Sequence, residues 1–140
     1  VCSSDLALAA SFEHLAVTTG NERAQILADT LDRANARFLD ENKSPSRRAG
    51  EIDTRGSHFY VGLYWAQELA MQEKDPQLAA AFAPIAKELT EKESVIAAEL
   101  LSVQKQPAGV GGYYHPDPAK ANAVMRPSGT LNTILGKLHR

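Results

Sequence analysis

GEIDTRGSHFYVGLYWAQELAM, residues 50–71, decides how the rest of the chain must be arranged. Between positions 59 and 66 it is apolar almost all round, with Phe59, Tyr60, Val61, Leu63, Tyr64 and Trp65 following one another. A helix apolar on every side is covered by neighbours instead of lying on a surface. The stretch therefore predicts a central helix with other segments packed around it. Immediately before it lies KSPSRRAG, residues 43–50, a proline-broken loop carrying Lys43, Arg47, Arg48 and two serines. A basic loop feeding the start of a buried helix is where the chain is equipped to bind something.

The flanking segments read as helices laid against that centre, so the fold class is mostly α. Residues 6–16 place Leu8, Phe12 and Leu15 at offsets of four and three, and predict a helix ended by VTTGN. Thr19-Gly20-Asn21-Glu22 has the form of a capping box. It opens a second helix to about residue 41, with Leu27, Leu31, Ala34 and Phe38 inward. Pro45 biases Ser44 away from helix. Asp53 or Thr54 can then cap the central helix, with Gly56 permitting close approach in its first turn.

Asp75-Pro76 combines a cap with a first-position proline. Leu78, Phe82, Ile85 and Leu89 follow as a fourth apolar stripe, with a kink expected at Pro84. Thr90 to Glu93 reads as a second capping box, opening a helix with Ile96, Leu100 and Val103 inward. From Gln104 the chain turns rich in glycine and proline (QPAGVGGYYHPDP) and must be an extended loop. Asp117-Pro118 repeats the cap signature, and Ser128 can cap a last helix over 131–138.

Length and charge bound the function classes. One hundred and forty residues make one domain or a piece of a larger one, and a compact chain of this size buries roughly 68–70% of its unfolded surface. Fifteen Lys and Arg against 17 Asp and Glu leave a net charge of −2, with no basic field that would argue for nucleic acid. The sequence contains no apolar run long enough to span a membrane and no signal-peptide pattern. A single cysteine, Cys2, suits a reducing compartment, so a cytoplasmic location is expected. The missing His/Cys clusters argue against structural zinc.

The candidate sites each have a plainer reading. Lys43, Arg47, Arg48 and Arg55 bracket a helix N-terminus, where free amides and the dipole favour anions, and arginine's fork suits phosphate. The plainer reading is a solvated basic loop. His58 has no carboxylate at i±4 and reads more readily as a hydrogen-bonded boundary histidine than as a general base. Tyr113 or Tyr114 could stack a ring such as adenine, although tyrosines more often pin a loop to the core. His115 and Asp117 make no metal site without further ligands. With no carboxylate cluster, dinucleotide fingerprint, P-loop or nucleophile elbow, the chain taken alone should not catalyse anything.

Seven blocks, in order and with matching gaps, carry a resemblance. They are LALAASFEHLA, ADTLDRA, KSPSRR, GEIDTRGSHFYVGLYWAQELA, AAFAPIAK, GGYYHPDPAKA and MRPSGTLN. Together they closely resemble the C-terminal part of the monomeric type of NADP-dependent isocitrate dehydrogenase, from residue 6 to about residue 138. The resemblance implies a much longer, monomeric, two-domain α/β parent whose smaller domain is assembled from both ends of the polypeptide. Residues 6–140 would be the last, helical and incomplete stretch of that smaller domain.

It also implies the parent's reaction, the oxidative decarboxylation of isocitrate to 2-oxoglutarate in the tricarboxylic acid cycle. The cofactors are NADP with Mg2+ or Mn2+. The family's metal-binding aspartates and isocitrate-binding serine and arginines lie upstream of this segment, so no catalytic or metal-binding residue is expected here. What falls inside is the arginine of the family's KSPxR block, which contacts the cofactor at its 2′-phosphate. Position for position that is Arg47, while Arg48 fills a place given to lysine or arginine.

Residues 1–5, VCSSD, depart from the family pattern and are expected to be a foreign leader. The segment's missing partners would be the N-terminal and catalytic parts of its own polypeptide. Alone it is expected to be inactive and only marginally stable. The competing expectation is a free-standing helical module that uses the basic loop of residues 43–55 for a phosphorylated ligand or a protein partner.

Overall fold

The computed structural model describes residues 3–139, with the side chains of residues 3–5 and 139 left out of account. The described residues form α1 (Ser3–Thr19), α2 (Glu22–Asp40), α3 (Thr54–Met71), α4 (Pro76–Glu91), α5 (Glu93–Ser102), α6 (Pro118–Met125) and α7 (Gly129–Leu135), then a 3-10 turn over Gly136–His139. None of them is in a strand, and none of their helices is long and apolar enough to cross a membrane. The chain is mostly α, as its periodicity predicts. Val1 and Cys2, on which the redox reading and part of the leader reading fall, lie outside the described residues.

The centre is α3. Phe59, Tyr60, Val61, Leu63, Tyr64, Ala66 and Leu69 are buried on it, and it touches α2, α4 and α5. Its start is fixed by Asp53, whose carboxylate accepts hydrogen bonds from the Arg55 and Gly56 amides at 3.0 and 3.1 Å. Gly56 is there because the chain folds back on itself. A Cβ at that position would stand 2.8 Å from Ile52 Cγ1.

On one side α2 lies along α3, and four polar contacts stitch the two together. Trp65 Nε1 donates to Thr30 Oγ1 at 3.0 Å, Arg37 to Gln67 Oε1 at 2.6 Å, Arg33 to Glu68 at 2.7 Å, and Tyr64 Oη to Glu41 at 2.6 Å. Burial pushes the Tyr64 phenol up, and its bond to Glu41 pushes it the same way. Tyr64 therefore stays a donor at any ordinary pH. Arg37 also lies over the Tyr64 ring, 4.3 Å from its centroid.

Several expected caps and stripes differ. Helix α1 continues through Val17 to Thr19. The cap of α2 is Asn21, which accepts from the Ala24 amide at 3.2 Å, while the Thr19 hydroxyl turns back onto the Leu15 carbonyl. The inward stripe of α1 is Ala9, Phe12 and Ala16; Leu8 and Leu15 are exposed. Small side chains let α1 lie close on α2, so the leucines point away. The predicted box at Thr90 does not cap α5 either, because its hydroxyl donates to the Ala86 carbonyl within α4. Lys92 precedes α5 with no side-chain cap bond. Helix α4 runs on through Pro84 over its 16 residues. Asp75, Asp117 and Ser128 cap α4, α6 and α7.

Candidate functional site

The basic loop is held at both ends and across its middle. The Lys43 amide donates to the Phe38 carbonyl at 3.1 Å, and the Lys43 carbonyl accepts from Ser57 Oγ at 2.6 Å. Its ammonium sits over the Tyr60 ring, 4.2 Å from the centroid, which makes it an anchor by cation–π attraction. Further along, the Ser46 amide donates to the Ile52 carbonyl at 2.7 Å and closes the loop on itself. Ser46 Oγ accepts from the Arg48 amide at 3.1 Å and donates to the Glu51 carboxylate. Gly50 takes φ +93°, a left-handed turn that favours glycine.

Gln104 is the far post. Its side-chain oxygen accepts from the Gly50 amide at 2.7 Å, and its nitrogen donates to the Glu51 carbonyl at 2.9 Å. The same nitrogen reaches Asp53 Oδ2 at 3.3 Å. Sequence reasoning missed this residue, which stood out only as the place where composition changes. Its partners lie more than 50 positions away, and nothing local marks the pairing.

The three arginines meet different fates. Arg55 is consumed within the chain: it donates to Asp53 Oδ2 from Nη2 and Nε at 2.6 and 3.1 Å, and to the Val124 carbonyl at 2.8 Å. Burial pushes the Asp53 carboxyl up. Its bonds from Arg55, Gly56 and Gln104 pull harder and hold it below the usual carboxylate range. That carboxylate already occupies the first amides of α3, so the helix end is not open to a second anion.

Arg48 is 84% exposed and lies 3.9 Å from Glu51 Oε1, a distance at which a surface pair is worth little. Arg47 is exposed, and among the described residues it has no hydrogen-bond or ion-pair partner. The loop thus fixes its own backbone while leaving one guanidinium, with its bidentate fork, uncommitted.

The other candidates are not brought to this loop's defining contacts. His58 is exposed one turn into α3. Tyr113 and Tyr114 are 92% and 86% exposed, packed edge to face on each other at 5.1 Å. They do not pin their loop to the core; the Asp117 amide does the local fastening, donating to the Val110 carbonyl at 2.7 Å. Asp117 spends its carboxylate on the Ala119 and Lys120 amides. His115 is exposed. Among the described residues no three His, Cys, Asp or Glu side chains gather as a metal site would require, so these residues do not fit Mg2+ or Mn2+.

Comparison with known proteins agrees with the resemblance read from the seven blocks. The family model for monomeric isocitrate dehydrogenase matches residues 4–136. Isocitrate dehydrogenase [NADP] 2 of Colwellia maris is 59% identical over 133 residues, 95% of this chain and 18% of that protein. Isocitrate dehydrogenase [NADP] 2 of Mycobacterium tuberculosis is 55% identical over 130 residues, 93% of this chain and 17% of that protein. Isocitrate dehydrogenase [NADP] of Azotobacter vinelandii is 52% identical over 133 residues, 95% and 18% respectively. The chain spans less than a fifth of the length of these relatives. On a match that covers nearly all of its residues, this chain belongs to the monomeric isocitrate dehydrogenase family.

Proposed function

We propose that this chain is the helical C-terminal part of the smaller domain of a two-domain, monomeric, cytoplasmic NADP-dependent isocitrate dehydrogenase, and that Arg47 binds the 2′-phosphate of NADP. The parent reaction is the oxidative decarboxylation of isocitrate to 2-oxoglutarate in the tricarboxylic acid cycle, with Mg2+ or Mn2+ held by residues outside this chain. The observation that carries the role of Arg47 is the contrast within the loop. Arg55 is locked onto Asp53 and Val124, whereas Arg47 stands exposed on a backbone tied to Ile52, Ser57 and Gln104. Such a loop presents a guanidinium with little further ordering to lose on binding. Support from the end of α3 is not part of the proposal, because Asp53 fills it.

The test is made in the full-length enzyme. A hydrogen bond to a charged group contributes about 1.5–3 kcal/mol, so Arg47→Ala should weaken NADP binding roughly 10- to 100-fold. Binding of NAD, which lacks the 2′-phosphate, should hardly change. Arg48→Ala should have the smaller effect. Dissociation constants of both cofactors for both variants decide it: an unchanged NADP/NAD ratio in Arg47→Ala would reject the assignment. The 140-residue chain alone should show no turnover of isocitrate with NADP.

A further inference from the structure

The turn that carries Arg47 is set against the helices by a side chain from a distant part of the sequence. Within the turn the bonds are internal. The Ser46 amide donates to the Ile52 carbonyl at 2.7 Å, and the Glu51 amide to the Arg48 carbonyl at 3.3 Å. Ser46 Oγ links the Arg48 amide to the Glu51 carboxylate across the middle. These bonds shape the turn without fixing where it stands. Among the described residues, the hydrogen bonds that join residues 46–51 to the helices come from Gln104.

Gln104 is suited to this by position and by chemistry. It follows α5 four residues after the buried Leu100, and its own amide donates to the Leu101 carbonyl at 3.1 Å. Lys105 then takes φ +65°, which residues with a side chain seldom adopt, so the backbone bends where the amide group is delivered. The half-buried side chain uses both of its ends. Oε1 accepts from the Gly50 amide at 2.7 Å, while Nε2 donates to the Glu51 carbonyl at 2.9 Å and reaches Asp53 Oδ2 at 3.3 Å. An amide meets an N–H at one end and two oxygens at the other, which neither a carboxylate nor an ammonium can do. Asp53 also caps α3, so this one group ties the turn to the ends of two helices.

We propose that Gln104 is a positioning residue for cofactor choice: its side-chain amide holds the turn of residues 46–51 where the Arg47 guanidinium meets the 2′-phosphate of NADP. The inference rests on the reading of Arg47 given above. Gln104 touches no cofactor itself. It acts by removing the freedom that the turn would otherwise lose on binding, so its contribution is confined to the cofactor that Arg47 distinguishes.

The experiment uses the full-length enzyme with Gln104→Met, which keeps the length of the side chain and removes its N–H donors. Gln104→Ala is the second variant, and the same pattern is expected of both. The dissociation constant for NADP should rise about 3- to 10-fold, and that for NAD by less than about twofold. Hydrogen exchange over residues 46–51 in the cofactor-free enzyme should quicken about tenfold. Added to Arg47→Ala, Gln104→Met should cause no further loss of NADP, because the two residues act in series. Unchanged exchange over 46–51 overturns the inference, since Gln104 then does not hold the turn. Equal losses of NADP and NAD, or no loss of either, overturn it as well. So does a full loss of NADP affinity in the Arg47→Ala background, because Gln104 would then work without Arg47. Failure of the Arg47 assignment shows separately, as an unchanged NADP/NAD ratio in Arg47→Ala alone, and takes this inference with it.

Discussion

The two sides of α3 are built from similar apolar residues but closed in different ways. Toward α2 the helix is sealed: Phe38, Leu31 and Ala34 are at most 1% exposed, and the seam is crossed by Trp65–Thr30, Arg37–Gln67 and Tyr64–Glu41 hydrogen bonds. Toward α4 and α7 it is roofed only in part: an apolar groove of about 820 Å3, which Leu27 of α2 also lines, leaves Phe82 and Leu131 half-buried, and Trp65 reaches it from the edge of the α2 seam. Both sides bury apolar surface, but the α2 seam carries several directional bonds while the α4 side has Gln67 Nε2 donating to Thr90 Oγ1 at 2.8 Å. The sealed side is a finished interface.

The comparison can be broken by equal substitutions on the two sides. Phe38→Ala in the 140-residue chain should cost about 3–5 kcal/mol, the usual range for deleting a fully buried phenylalanine. Phe82→Ala should cost roughly half as much there, because half-burial gives less transfer energy and the open groove leaves less of a cavity. Urea unfolding of the two variants measures the gap. Equal costs already in the short chain would mean that the groove side is as complete as the other.

The groove's far wall offers a gentler test. Helix α7 hangs on the Glu99 carboxylate, which accepts from the hydroxyls of Ser128 and Thr130 and from the Thr130 amide at 3.3 Å. The Ser128 hydroxyl, then that of Thr130, holds the Glu99 carboxyl below the usual range. With the folded pKa depressed, the stabilisation is complete above the unfolded carboxylate's pKa. It disappears as pH falls through the folded value. Hydrogen exchange over residues 128–135 should therefore accelerate on acidification through and below pH 4.5, the ordinary glutamate value. Glu99→Gln should loosen α7 by about 1–2 kcal/mol near neutral pH and remove most of that acid response. Unaltered exchange over 128–135 in Glu99→Gln would show that α7 is held by its apolar contacts alone.

The difference between the two sides also explains what could be read in the sequence. The centrality of α3 was legible because eight nearly continuous apolar residues have no solvent face to offer. The caps at Asp53, Asp75, Asp117 and Ser128 were legible because each bonds an amide two or three residues away. Thr19 and Thr90 misled because a hydroxyl in the last turn of a helix has the competing choice of bonding back to the i−4 carbonyl, and both take it. Leu8 and Leu15 misled because hydrophobic spacing shows a stripe without saying which neighbour exists to cover it. At the loop, the KSPSRR block singles out Arg47 for the proposed cofactor contact, and no local pattern does. The locking of Arg55 by Val124 and the post at Gln104 depend on contacts across more than 50 residues, which no local pattern encodes.

The smallest expected effect concerns a buried polar side chain on α2. Asn35 lies on α2, 3% exposed, and among the described residues neither its amide nitrogen nor its oxygen has a hydrogen-bond partner. Burying an amide without partners costs about 1–3 kcal/mol, and asparagine is also a poorer helix former than alanine. Against this, Asn35→Ala removes some packing. The gain should exceed the loss by a little, leaving the variant more stable by roughly 0.5–1 kcal/mol, read as a higher urea midpoint with an unchanged m-value. A loss of more than about 1 kcal/mol would mean that an ordered water satisfies the amide, and that α2 is held by one more polar contact than the side chains alone provide.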